Sequence, residues 1–105
     1  MSKTFKEIED YLDQSTVVLF MKGTKDFPLC GFSGRVVFIL HELGIDFLDV
    51  NVLENEDLRN DIKTFSNWPT IPQLYINKQF IGGCDIIAEL YEQNQLAELF
   101  YNDKN

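Results

Sequence analysis

The chain has 105 residues, 45% of them hydrophobic, including nine phenylalanines and four tyrosines, which is enough for one core of ordinary size and too little for two. Seventeen acidic residues against nine lysines and arginines leave a formal net charge of -8, which repels a nucleic-acid backbone but does not prevent a local basic pocket from holding a small anion. No apolar run reaches the roughly 18 residues that span a bilayer, and the charged N-terminal segment is no secretory leader, so the expectation is one soluble cytosolic domain over residues 1–105, or a processed organellar protein.

Thr4 and Glu7 form a possible capping box, and Phe5, Ile8 and Leu12 recur on one face of a helix running to about Gln14. The run from Thr16 to Met21 is branched and apolar on both faces, the pattern of a covered strand. Lys22 to Pro28 interrupts it, with Gly23 permitting tight backbone and Pro28 restricting the approach to Cys30. From Gly31 to Leu43, residues Phe32, Val36, Val37, Leu40 and Leu43 make a continuous helical face, and Gly44 ends it. A second strand is expected over Ile45 to Asn51, then a helix from about Glu54 to Phe65 that turns Leu58, Ile62 and Phe65 to the sheet. Trp68 to Pro72 breaks that helix. Leu74 to Ile81 reads as a hairpin turning at Asn77-Lys78, and a helix follows Gly82-Gly83-Cys84-Asp85 through Tyr91, with a last turn over Gln95 to Tyr101. This order buries a small mixed sheet between helices.

Two cysteines, Cys30 and Cys84, are too few for a secreted disulfide framework, and they are not a CxxC pair. Reduced or transient sulfur chemistry fits best, with a structural disulfide or two unrelated buried thiols as competing readings. Cys30 is the sharpest clue, because a helix start exposes its sulfur to backbone amides that favour thiolate. Ser33 stands where a dithiol protein carries its second cysteine, so Cys30 has no local resolving thiol. The same sulfur can exchange with external glutathione or give iron one ligand if other thiols complete the site. His41 has no partner at ligand spacing and reads as an ordinary helix residue. Phe32 reads equally as a core contact or as a flank of the exchange site, and Trp68 as a structural pin.

Lys22, Cys30-Gly31-Phe32-Ser33, Trp68-Pro69-Thr70-Ile71-Pro72 and Gly82-Gly83-Cys84-Asp85 together resemble the monothiol glutaredoxin family, small single-domain type, over almost the whole chain. The resemblance implies an α/β, thioredoxin-like fold, with a four-stranded mixed sheet flanked by helices and a glutathione groove. It implies that Pro72 is a cis-proline opposite Cys30, with the Ile71 backbone aligning the glutathione peptide. Lys22 and Arg59 are implied at the glycine-end carboxylate, with Lys63 as a possible reinforcement. Gly83, Cys84 and Asp85 are implied at the γ-glutamyl end, Cys84 through its backbone.

The function implied is glutathione-dependent binding and transfer of a [2Fe-2S] cluster. Cys30 from each of two subunits and two glutathiones would supply the four sulfurs in a cluster-bridged homodimer. A BolA-like protein, or an iron-sulfur scaffold or acceptor, is an implied partner. Two other readings stand beside it. Cys30 could reduce protein-glutathione mixed disulfides, or the chain could bind glutathione without a productive cluster.

Overall fold

The computed structural model describes residues 3–102. Their order is α1 (Lys3–Gln14), β1 (Val17–Met21), α2 (Gly31–Glu42), β2 (Leu48–Asn51), α3 (Glu56–Ser66), β3 (Gln73–Ile76), β4 (Gln79–Gly82), α4 (Cys84–Glu92) and α5 (Leu96–Asn102). The sheet order is β2-β1-β3-β4, with β1 and β2 parallel and the other two pairings antiparallel.

All five residues of β1 are buried, because helices cover both faces of the sheet. Side chains alternate across a strand, so Val18 and Phe20 pack with Ile8, Leu12, Leu58, Ile62 and Tyr75 beneath α1 and α3. Val17, Leu19 and Met21 pack on the other face with Val36, Leu40, Leu74, Ile87 and Leu96, beneath α2, α4 and α5. The β3–β4 hairpin turns at Asn77 and Lys78, both at positive φ, 51° and 67°. That is the primed geometry that matches strand twist.

Four expectations are corrected. Helix α1 is already formed at Lys3, so Thr4 lies inside its first turn rather than capping it from outside. The second strand starts at Leu48, not Ile45, because the Ile45 N–H is taken by the Leu40 carbonyl in closing α2, at 2.9 Å. A 3-10 turn over Val52–Glu54 precedes α3, which begins at Glu56 where the Asn55 side chain accepts from the Leu58 N–H at 3.1 Å. Phe32 is no core residue: it is 62% exposed.

The topology gathers one end of the sheet. Because β3 runs antiparallel to β1, with Phe20 opposite Gln73, the start of β3 lies beside the end of β1. Gly82 at the end of β4 faces Leu74, which brings the start of α4 to the same edge.

Candidate functional site

A cleft of about 450 Å³ opens at that gathered end, within the usual range for a small-molecule site. Cys30, Lys22, Ile71, Pro72, Gly83, Cys84 and Asp85 all line it, so of the residues that the resemblance assigns to the sulfur site and to glutathione only Arg59 is absent from the lining. Arg59 is exposed on α3, one turn before Lys63, and it is Lys63 that joins the lining.

Cys30 sits at the N-cap of α2 in extended conformation, with partial exposure. Its side chain makes no capping bond in the usual oxygen manner. The main-chain N–H of Ser33 is the chief influence holding the thiol below its ordinary value; partial burial opposes it. The Phe32 N–H, the Lys22 charge and the Ser33 hydroxyl add to the lowering. A free helix N-terminus presents such donors, which is why a cysteine there carries a reactive sulfur.

In the sequence Ser33 stands only as a missing thiol; the structure gives it a positive role. It is fully buried, and its Oγ accepts from the Lys22 N–H at 3.1 Å, which leaves its own proton for the Cys30 sulfur. Nothing in a serine at that spacing distinguishes this from simple replacement of a cysteine.

Opposite Cys30, the Ile71–Pro72 peptide bond is cis, as the resemblance implied. The segment that carries it is braced by Gln73, whose buried Nε2 donates to the carbonyls of Trp68 and Thr70, both at 3.2 Å, while Tyr75 donates to its Oε1 at 3.3 Å. Gln73 was missed as well. A polar residue inside an otherwise apolar strand, Gln73-Leu74-Tyr75-Ile76, was the signal available, since a buried amide requires partners.

Trp68 packs on Phe80 with ring centroids 5.6 Å apart and also lines the cleft, so it is both pin and wall. Its Nε1 is buried without a partner among the described residues. Gly83 approaches it so closely that an added Cβ would lie 3.2 Å from Nε1 and 3.3 Å from the Pro72 carbonyl oxygen. Asp85 lies exposed in the first turn of α4, where a carboxylate is favoured by the helix dipole.

Cys84 is a free, buried thiol. Burial pushes it up, Arg35 opposes, and the nearby Asp85 and Cys30 charges raise it further. One cleft therefore holds two unlike sulfurs: an accessible one inclined to thiolate and a covered one inclined to thiol.

A glutaredoxin family model matches residues 17–81, which carry the sheet and Cys30. A probable monothiol glutaredoxin 2 of Rickettsia typhi is 52% identical over 102 residues, covering 97% of this chain and 92% of that protein. The chain belongs to the monothiol glutaredoxin family. Its fold agrees with the solution structure of reduced apo glutaredoxin S14 from poplar at a TM-score of 0.84 and 51% identity, over 93% of this chain and 90% of that one. The holo form of glutaredoxin C1 from Populus tremula x tremuloides superposes at a TM-score of 0.85 with 26% identity, over 96% and 98% of the two chains. Glutaredoxins use glutathione, and the cleft of this monothiol glutaredoxin offers two lysines, an aspartate and open backbone beside the Cys30 sulfur. Among the described residues no group of three or more His, Cys, Asp or Glu side chains could hold a metal ion.

Proposed function

We propose that this chain binds and passes on a [2Fe-2S] cluster with glutathione as co-ligand. The observation that carries the reading is the sulfur inventory of the cleft. Cys30 offers one accessible sulfur inclined toward thiolate, while Cys84 is buried and inclined toward its neutral form. A four-thiolate iron-sulfur site therefore needs three sulfurs from elsewhere. A bound glutathione supplies one beside each Cys30, and a second copy of the chain doubles the pair. Holding half of the ligands noncovalently makes such a cargo transferable.

In this reading Lys22 binds the glycine-end carboxylate by a charge-assisted hydrogen bond, with Lys63 and Arg59 adding positive charge from α3. The Ile71 backbone aligns the peptide, and Gly83, Cys84 and Asp85 receive the γ-glutamyl end, Asp85 pairing with its ammonium. Exposed Phe32 flanks the sulfur and limits water at the cargo. A relative has been solved in a holo form, which is compatible with this use of the fold. A BolA-like protein or an iron-sulfur scaffold or acceptor would occupy the second position in place of another copy.

The lowered Cys30 thiol favours a second reading on the same residues. The Cys30 thiolate attacks the glutathionyl sulfur of a mixed disulfide, and the departing protein thiolate takes up a proton. A second glutathione thiolate then attacks the Cys30 adduct, restoring the Cys30 thiolate and leaving oxidised glutathione.

Anaerobic reconstitution with iron, sulfide and reduced glutathione, read by absorption spectroscopy and by iron and sulfide analysis, separates the two. One cluster per two chains, that is about one iron and one sulfide per chain, lost in Cys30→Ser, supports the carrier. A cluster retained unchanged by Cys30→Ser refutes it. Rapid turnover of mixed disulfides with no cluster taken up moves the assignment to the transferase reading.

A further inference from the structure

We propose that Lys25, Asp49 and Asn51 are positioning residues that clamp the Lys22–Leu29 loop onto the edge strand β2, and so hold the Lys22 ammonium beside Cys30. The loop joins β1 to α2 and has little core of its own, since Phe27 and Leu29 are 77% and 69% exposed. Besides the Lys22 N–H on Ser33 Oγ, the Thr24–Phe27 pair within the loop and an ion pair of Lys25 with Asp46 at 3.9 Å, its anchors come from β2 and the residue before it. The Lys25 N–H donates to Asp49 Oδ2 at 2.8 Å, and the Gly23 N–H donates to Asn51 Oδ1 at 3.0 Å. The Lys25 ammonium donates to the Phe47 carbonyl at 2.7 Å and lies 4.6 Å from the centre of the Phe47 ring.

These anchors are in register. Side chains two apart on a strand share a face, so Asp49 and Asn51 stand on the same side of β2, toward the loop. The loop then closes on itself, with the Leu29 N–H on the Lys22 carbonyl at 2.9 Å, immediately before Cys30. The clamp thus fixes the residue that starts the loop, and that residue carries the cation of the cleft. None of the three clamp residues lines the cleft, so their action on chemistry there is indirect.

The consequence is selectivity for partners that carry a carboxylate near the reacting atom. This rests on the reading of Cys30 as the reactive sulfur, but its test needs neither cluster nor glutathione. Cys30 is alkylated separately with anionic iodoacetate and neutral iodoacetamide, the modified peptide being identified by mass. The ratio of the two rates cancels the thiolate fraction, which both reagents require, and reports the local positive charge.

Loosening the loop lowers this ratio by about threefold, the effect of removing one ammonium several ångströms away across water. Lys25→Met lowers it, and Lys25→Arg, which keeps a cationic donor, restores most of it. Asp49→Ala is decisive because the two explanations have opposite signs. Simple removal of a negative charge raises the ratio; release of the loop lowers it. A lowered ratio in Asp49→Ala, with native circular dichroism, supports the clamp, and an unchanged or raised ratio overturns it. Should Asp49→Ala not fold, the uncharged change Asn51→Ala serves in its place: a lowered ratio supports the proposal and an unchanged one refutes it.

Discussion

The main-chain N–H of Lys22 donates to Ser33 Oγ across 3.1 Å, tying the end of β1 to the first turn of α2. One hydroxyl thereby serves a part-buried backbone donor and the Cys30 sulfur together. Ser33→Ala removes both contacts. The Cys30 thiol is expected to rise only slightly, because the Ser33 main-chain N–H that chiefly lowers it is kept, and the orphaned Lys22 N–H is expected to cost about 1 kcal/mol of stability. Alkylation of Cys30 as a function of pH and urea unfolding check the two effects separately. A variant with unchanged stability and unchanged reactivity would show that the serine does neither.

The two cysteines give opposite pH dependences. Folding lowers the Cys30 thiol, so the native state binds fewer protons there than the unfolded chain. Its contribution to stability is present above the ordinary thiol value and is lost as pH falls through the native value. Cys84 is raised, so its contribution is present below the ordinary value and is lost as pH climbs through the raised one. The stability advantage of the parent over Cys30→Ser is therefore expected to grow as pH rises from the lowered native value to the ordinary thiol value. That of the parent over Cys84→Ser is expected to hold steady below the ordinary thiol value and to shrink only as pH climbs above it. Urea titrations at several pH values measure both slopes, and equal slopes would contradict the contrast between the sulfurs.

What could be read from the sequence follows from which signals are local. Helix α2 was legible because Val36, Val37 and Leu40 recur at helical spacing, and the covered strand β1 because its apolar residues run without alternation. The cleft residues were legible through the family resemblance, since no periodicity brings Cys30 to Pro72 or Gly83. Boundaries decided by a hydrogen bond to a distant partner were not legible. Ile45 has a strand-forming side chain, yet its N–H belongs to Leu40. Phe32 has the spacing of a core residue, but at the second position of α2 it lines the open cleft and stays exposed. The partners of Ser33, Gln73 and Lys25 are likewise tertiary, and residue type alone announces none of them.

The glycines divide sharply by what surrounds them. A Cβ on Gly83 would press on Trp68 Nε1 and the Pro72 carbonyl, whereas a Cβ on Gly31 would meet nothing within 4 Å. Gly83→Ala is expected to weaken glutathione binding by narrowing the wall of the cleft, and Gly31→Ala to leave binding within about twofold while slightly favouring the helix. Gly23→Ala is the severe case. That residue has φ of 90°, and its added Cβ would fall 2.4 Å from the Phe27 carbonyl oxygen. The loop must open, so a loss of more than about 1 kcal/mol is expected. Calorimetric titration with glutathione and thermal unfolding of the three variants rank these effects, and an equal loss in all three would refute the ordering.

Lys22 contributes two separable things to the cleft, a backbone donor to Ser33 and a side-chain ammonium at the lining. Lys22→Gln removes only the second. If the ammonium meets the glycine-end carboxylate, binding of glutathione should fall about five- to tenfold, the scale of one charge-assisted hydrogen bond in a partly exposed site. The decisive comparison uses glutathione amidated at its glycine carboxylate. Against that ligand the substitution should cost little, because the group it addresses is already neutral, and the difference between the two losses isolates the pairing. Rising salt should narrow the gap for the parent protein and leave the variant nearly flat. If Lys22→Gln weakened both ligands equally, the ammonium would be acting on the cleft as a whole, and the carboxylate would have to be assigned to Lys63 or Arg59 on α3.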